Sequence, residues 1–270
     1  MTEPNDWLSP EALVRDGRVQ IGAIDGVALI RLNRPDKMNA FDAEQIEAFE
    51  QALRWFHAAG DVRVGVLAGS ERAFCAGGDI TTFDEIDVER GFPYTRRGYD
   101  ILRPIETGEK PLIAAVDGYC LAGGLEVALA CDFIIAGGSA VFGFGELDLG
   151  LIPAWGGTVR LTRAISARFA RQMIYASQRI DAARASELGL VNEVVEAGQT
   201  VGRAIELAQA IAKKPTIAVR VARTAAHLVA DGASGEAALA AERIGGALLF
   251  GTNDVHHAVR EWTEKAGRRS

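Results

Sequence analysis

K110-P-L-I-A-A-V-D-G-Y-C-L-A-G-G-L-E-V-A-L-A-C-D132 sets an apolar run, a turn and a glycine-led helical pattern one after another. Leu112–Val116 reads as a strand, Asp117-Gly118 as a turn, residues 122–130 as a helix and residues 133–136 as a second strand. The same order recurs upstream. Residues 19–23 and 27–32 are short β-type runs joined by Asp25-Gly26, a strong hairpin signal. Asp42 then caps an amphipathic stretch that runs through Ala59, with Ile46, Phe49, Leu53 and Phe56 at helical spacing and Gly60 as its stop. Val64–Ala68 follows as a buried strand. Downstream of about Thr200 the sequence becomes Ala-rich and helical, over 200–213, 216–230, 234–249 and 253–266, with breaks at Pro215, Gly232 and Gly251. Repeated strand–helix units followed by a helical part make an α/β chain.

Composition narrows the function classes. A chain of 270 residues with 49% hydrophobic content can build a substantial core. Its net charge of −7 and scattered Lys and Arg give no concentrated basic face for a nucleic-acid backbone. Cys75, Cys120 and Cys131 form an odd, sparse set without CxxC spacing, so neither a disulfide framework nor a zinc site is expected. The opening M1-T-E-P-N-D-W7 is acidic and lacks an apolar segment, and no apolar run approaches a membrane span. A cytoplasmic, reducing location without a membrane partner is the expectation.

The chemistry gathers around two glycine segments. Gly123 stands where the loop after Leu112–Val116 enters a helix, so its N–H belongs to the unsatisfied first turn, at the positive end of the macrodipole. An oxyanion would be stabilised there. Gly78, in F74-C-A-G-G-D-I80, can supply a second converging N–H. Glycine pairs after strands also serve plain tight turns, and these residues alone leave both readings open. Glu126 lies one helical turn past Gly123 and projects beside the anion site, while Glu146, in G145-E-L-D-L-G150, follows 20 residues later. Either acid alone is commonly a solvated residue; in combination they can move protons beside the oxyanion. No G-x-x-x-x-G-K-[ST] occurs, and G143-F-G145 reaches Asp148 where a dinucleotide motif requires glycine. Cys75 and the other two cysteines read as packing residues, and His256-His257 as a surface or subunit contact because adjacent helical residues face apart. Asp148 shares the face of Glu146 if the segment is a strand, although a solvated acid is its default.

The blocks N33-R-P-D-K-M-N-A-F-D42, A73-F-C-A-G-G-D-I80, K110 to D132, F142-G-F-G-E-L-D-L-G-L-I-P-A-W-G-G-T158 and A185-S-E-L-G-L-V-N-E-V-V195 resemble, in order and spacing, the enoyl-CoA hydratase/isomerase (crotonase) family. The resemblance implies a crotonase-like spiral of ββα units followed by a C-terminal helical oligomerisation region. Its divisions here are a tail over 1–17, a spiral core with the acyl-CoA site over 18–198 and a trimerisation region over 199–270. It further implies an acyl-CoA thioester substrate, a homo-trimer or hexamer, and no cofactor or metal beyond the CoA of the substrate.

Residue by residue, the resemblance puts Gly78 and Gly123 on the two oxyanion N–H positions and Glu126 and Glu146 on the two acid/base positions of hydratases. It assigns substrate contacts to Lys37, Asn39, Ala40, Arg72, Ala76, Asp79, Ile80, Ala154 and Trp155. The implied activity is hydration of a 2-enoyl-CoA, with isomerase, hydratase-lyase or a non-catalytic acyl-CoA-binding role as alternatives. Four positions depart from the family pattern. Thr81 stands where many hydratases carry a CoA-contacting lysine, Ala122 replaces a common glycine, and Ala154-Trp155 replaces a smaller pair. Trp155 is either a core filler or a wall of the acyl pocket.

Overall fold

Asp25 and Gly26 take φ of 51° and 81°, the left-handed pair that a two-residue hairpin needs and an Asp-Gly sequence tolerates. β1 (Leu13–Val14), β2 (Val19–Ile24) and β3 (Val27–Leu32) form an antiparallel edge around that turn, in register from Val19↔Leu32 to Ile24↔Val27. The structure, a computed structural model, describes residues 13–14, 17–83 and 86–267. Most of the tail expected over 1–17 lies outside the described residues. In α1 (Ala43–Ala58), the Asp42 carboxylate accepts the Gln45 N–H at 2.8 Å, and Ile46, Phe49, Leu53 and Phe56 face the core.

Three units follow that each place a strand in a large sheet and a strand in a small one. The first is β4 (Val64–Ala68), β5 (Ala73–Cys75) and α2 (Val88–Thr107). The second is β6 (Leu112–Val116), β7 (Tyr119–Leu121) and α3 (Gly123–Ala130). The third is β8 (Phe133–Gly137), β9 (Val141–Gly143) and, past a 3-10 turn at Glu146–Leu149, α4 (Gly157–Ala164). Then come α5 (Ala167–Tyr175), β10 (Ile180–Asp181), α6 (Ala182–Glu187), β11 (Glu193–Val195) and α7 (Thr200–Ala212). The large sheet runs β1-β2-β3-β4-β6-β8-β11 and the small one β10-β9-β7-β5. Every residue of β4 and β6 is buried, as parallel strands covered on both faces must be. The core lies between the sheets and α1, α2 and α3, with Phe41, Phe49, Phe56, Phe74, Phe142 and Phe144 as its largest fully buried side chains.

α8 (Thr216–Ala230), α9 (Gly235–Leu249) and α10 (Asn253–Gly267) complete the chain. By compactness it divides into Met1–Ala210 and Ile211–Ser270, with the break inside α7. In the second unit α8 and α9 pack on each other. Spiral units followed by helices are the architecture that the sequence predicts.

Two local features fix the entry to α3. A Cβ on Gly124 would fall 2.1 Å from the Cys75 carbonyl oxygen, so only glycine lets this helix start against β5. The residue expected to open the helix, Ala122, instead caps it at φ 50° and ψ −127°, a conformation that glycine adopts freely and alanine does not. The strain is worth on the order of 1–3 kcal/mol. Ala122→Gly is therefore expected to stabilise the protein by about 1 kcal/mol, net of the added unfolded-state entropy. That corresponds to a melting midpoint about 2–4 °C higher in calorimetry. A lower midpoint would show that the surroundings have relieved the strain.

Candidate active site

β5, β7 and β9 lie side by side and parallel in the small sheet, and the chain leaving each carries one site element: Gly78, Gly123 and Glu146. Gly78 is bridged to Phe41: the Phe41 N–H donates to the Gly77 carbonyl at 2.7 Å and the Asp79 N–H donates to the Phe41 carbonyl at 2.9 Å. In such a parallel ladder the intervening residue turns its own N–H to the other side. The Gly78 N–H accordingly donates to no described group. Neither does that of Gly123, the first residue of α3. The segments abut, since a Cβ on Gly77 would lie 3.0 Å from the Gly123 nitrogen. Two unpaired N–H groups from adjoining backbone are thus held at one end of the small sheet.

Glu126, one turn into α3, is only 2% exposed. Its Oε1 accepts the N–H groups of Trp155 and Gly157, both at 2.7 Å. Burial raises its pKa to about 7; the charge of Glu146 adds to the rise, while the Gly157 and Trp155 N–H groups and Arg160 pull against it. Glu146 opens the 3-10 turn after β9, and its Oε2 is buried with no hydrogen-bond partner. Desolvation raises its pKa as well, against local backbone hydrogen bonds. Two desolvated carboxyls, the charge of Glu146 reaching Glu126, therefore accompany the two free N–H groups.

A clamp holds the loop that grips Glu126. Arg160 Nη1 donates to the Trp155 carbonyl at 2.6 Å, and Arg160 Nε and Nη2 donate to the two Glu106 oxygens at 2.6 and 2.7 Å. The Trp155 ring is 5% exposed. It lies 5.5 Å from the Phe41 ring and 5.7 Å from Tyr94, and a Cβ on Gly98 would fall 2.2 Å from its indole. A Cβ on Gly123 would lie 3.6 Å from the same indole. Trp155 is therefore a core filler that also backs one of the two glycines. Arg160, Glu106 and Tyr94 escape sequence reading. α2 carries two of them, and its buried Gly98, Ile101, Leu102 and Ile105 form a helical stripe that Pro93 and Pro104 disguise. The signal for Arg160 is its place one turn beyond Gly157, in α4.

The remaining residues expected to touch substrate fall into three groups. Asn39 is fully buried, its side-chain Oδ1 accepting the Arg34 N–H at 2.7 Å and its side-chain Nδ2 donating to the Ala73 and Phe74 carbonyls at 2.9 and 3.1 Å. Asp79 accepts from Arg34 at 2.9 Å and from the Thr81 hydroxyl at 2.6 Å. Both side chains brace the loops carrying Gly78. Ala40 and Ala76 belong to the same loops, with the Ala40 carbonyl accepting from Arg34 and the Ala76 N–H donating to Met38. Lys37, Arg72, Ile80 and Ala154 are exposed. Arg72 precedes β5 and so lies at the opposite end of that strand from Gly78.

The other candidates take quieter roles. The Cys75 thiol donates to the Asn39 carbonyl at 3.1 Å, and burial pushes its pKa up to about 12, so it is not a nucleophile. Asp148 lies in the 3-10 turn, not on a strand, and accepts from the Ser177 hydroxyl at 2.9 Å. His257 pairs with Glu261 on the exposed face of α10. Among the described residues no group of His, Cys, Asp and Glu could hold a metal ion.

A ββα spiral with two free N–H groups against two desolvated carboxyls is the architecture of an enzyme that manages an oxyanion and a proton together. The family match agrees: the model described as enoyl-CoA hydratase/isomerase covers residues 22–268, and the chain belongs to that family. The chain is similar to the short-chain-enoyl-CoA hydratase of Clostridium acetobutylicum, 34% identical over 240 residues, or 88% of this chain and 92% of that one. A probable enoyl-CoA hydratase of Rhizobium meliloti is 40% identical over 201 residues, 74% of this chain and 77% of its own length. Among solved structures, an enoyl-CoA hydratase from Bacillus anthracis superposes with a TM-score of 0.87 at 33% identity, over 92% of this chain and 96% of that one.

Burial of Glu126 has a consequence for stability. Its folded pKa of about 7 stands above the ordinary 4.5, so its contribution is fully present below pH 4.5 and is lost as pH rises through 7. Glu126→Gln removes that ionisation and keeps an oxygen for the two N–H groups. The variant's stability relative to wild type is expected to rise between those pH values by on the order of 1–3 kcal/mol and to level off above pH 8. Denaturant melts across that range measure it, and a pH-independent difference would mean that Glu126 ionises as freely folded as unfolded.

Proposed function

We propose that this chain is an enoyl-CoA hydratase that adds water across the 2,3 double bond of a short 2-enoyl-CoA. The observation that carries the reading is the pairing of two free backbone N–H groups, Gly78 and Gly123, with two desolvated carboxyls, Glu126 and Glu146. The thioester oxygen accepts both N–H groups, which polarises the conjugated system and stabilises the enolate-like state formed when water attacks Cβ. Glu126, fixed through Oε1, orients and activates the water with its other oxygen. Glu146 delivers the proton to Cα; desolvation favours its protonated form. The reaction asks for no metal and no cofactor beyond the CoA of the substrate. We assign the exposed Lys37 to the CoA phosphates, since Thr81 cannot serve them as a lysine would and Arg72 sits at the far end of β5. The hydratases named above and a crotonyl-CoA hydratase of Syntrophomonas wolfei, 33% identical over 242 residues, support the substrate class.

We place the enzyme in a reducing compartment such as the cytoplasm, which suits the free Cys75, Cys120 and Cys131. Among the described residues no helix is long and apolar enough to cross a membrane. We also propose assembly into a trimer or a dimer of trimers through the second unit, where Ile217, Leu239, Ile244, Leu248 and Phe250 are more than half exposed. Light scattering should give a multiple of three times 28.8 kDa at micromolar concentration, and a monomer mass there would overturn it.

Loss of the conjugated-thioester absorbance of crotonyl-CoA tests the activity. Glu126→Gln and Glu146→Gln are each expected to lower kcat by about 10²–10⁴-fold with acyl-CoA binding nearly intact. The double variant should lose far less than the product of the two, because both act on one event. Wild-type traces that stay flat across a panel of enoyl-CoAs would leave the non-catalytic binding role instead.

A further inference from the structure

Tyr94, on α2, is half-buried in the site yet has no part in the reaction as drawn so far. Its hydroxyl oxygen lies 2.8 Å from the position that a Cβ on Gly78 would occupy, so a side chain at Gly78 would collide with it. A Cβ stands about 2.5 Å from its own backbone nitrogen, which brings the hydroxyl within about 5.3 Å of the Gly78 nitrogen. One oxygen at ordinary hydrogen-bonding distance from each group, about 2.9 Å, bridges such a gap. The ring is held from two sides, edge-on to Phe83 at 5.6 Å and tilted against Trp155 at 5.7 Å. Trp155 in turn backs Gly123, so one run of rings connects the two oxyanion glycines.

The hydroxyl makes no hydrogen bond to any described residue, although a buried phenol normally finds a partner. Burial and the charges of Glu126, Cys75 and Glu146 hold its pKa well above the ordinary value, so it keeps its proton. A fixed, always protonated donor beside an oxyanion N–H, with nothing to donate to, lacks only the oxyanion.

Resting on the hydratase reading above, we propose that Tyr94 is a third oxyanion donor, its hydroxyl hydrogen-bonding the thioester oxygen together with the Gly78 and Gly123 N–H groups. In hydration, the water O–H bond breaks as its oxygen bonds Cβ and its proton passes to the Glu126 carboxylate, while the C=C electron pair moves to Cα and the thioester oxygen. The enolate collapses as Cα takes the proton of Glu146. Tyr94 loses no proton in this sequence. It stabilises the charge on the oxygen, and this effect is separable from the attack of water.

Exchange of the α-hydrogens of butyryl-CoA in D2O isolates that effect, because this saturated thioester forms the enolate by deprotonation at Cα and has no double bond to hydrate. Tyr94→Phe keeps the ring and removes only the donor. Crotonyl-CoA hydration and α-exchange are expected to fall together by about 10²-fold, with KM within a few-fold and the melting curve unchanged. Exchange at the wild-type rate overturns the proposal, whether hydration is retained or lost, since loss of hydration alone would put the hydroxyl on the water. Should Tyr94→Phe fail to fold, 3-fluorotyrosine at position 94 keeps ring and hydroxyl and makes a stronger donor. Exchange must then quicken, and an unchanged rate overturns the proposal. A wild-type enzyme that exchanges but does not hydrate any enoyl-CoA would sink the hydratase reading while still reporting on Tyr94.

Discussion

One buried carboxylate oxygen, Glu126 Oε1, holds the site together by accepting two backbone N–H groups. A buried carboxylate with only one such bond would be expensive, and with too many strong partners it would be a permanently ionised, inert anion. Two N–H groups set against burial and a neighbouring acid leave it near neutrality, where a proton-handling group is most effective. The surrounding structure serves that balance. Arg160 holds the Trp155 carbonyl, so the Trp155 and Gly157 N–H groups stay aimed at the oxygen, and Glu106 holds Arg160 from α2. α2 approaches closely because Gly98 leaves space for the indole of Trp155. A larger residue at position 98 would thus disturb Glu126 through Trp155 without touching it.

The two unpaired glycine N–H groups depend on a different constraint, the meeting of two chain segments with no room for side chains. Gly124 lies on the Cys75 carbonyl and Gly77 on the Gly123 nitrogen, so α3 begins directly against the end of β5. The bridge to Phe41 then turns the Gly78 N–H outward. Ala122 shows how strongly this arrangement is determined, because the chain keeps a glycine conformation there despite a Cβ. Asn39 and Arg34 stiffen the same loops, one through three hydrogen bonds to backbone and the other through Asp79 and Asp42. Donors fixed in this way need no reorganisation when charge appears on the substrate oxygen.

Much of this was legible in the residues. The five-residue apolar runs of β4 and β6, the Asp42 cap and the Pro and Gly breaks between the last helices each have a local cause, and the structure follows them within a residue or two. The three-residue strands β5, β7 and β9 are too short to carry a period, and they exist because neighbouring strands supply their hydrogen bonds. α2 was hidden by two prolines and a charged surface. The four residues at the centre of the site sit in segments with strong turn or helix signals, which is why glycine and acid spacing points to them. Arg160, Glu106 and Tyr94 act on the site from across the fold, and no sequence spacing encodes that approach.

In the proposed reaction the two glutamates differ by environment rather than by kind. Glu126 is pinned by main chain through one oxygen, so its remaining oxygen has a fixed position and a constant direction in which to hold water. Glu146 has a buried oxygen with no partner, which favours the protonated carboxyl and so keeps a proton at hand to deliver. An exchange of roles would require Glu146 to ionise with a buried oxygen that no group donates to, whereas Glu126 already has two N–H groups to hold its charge. That difference favours water at Glu126 and the proton at Glu146.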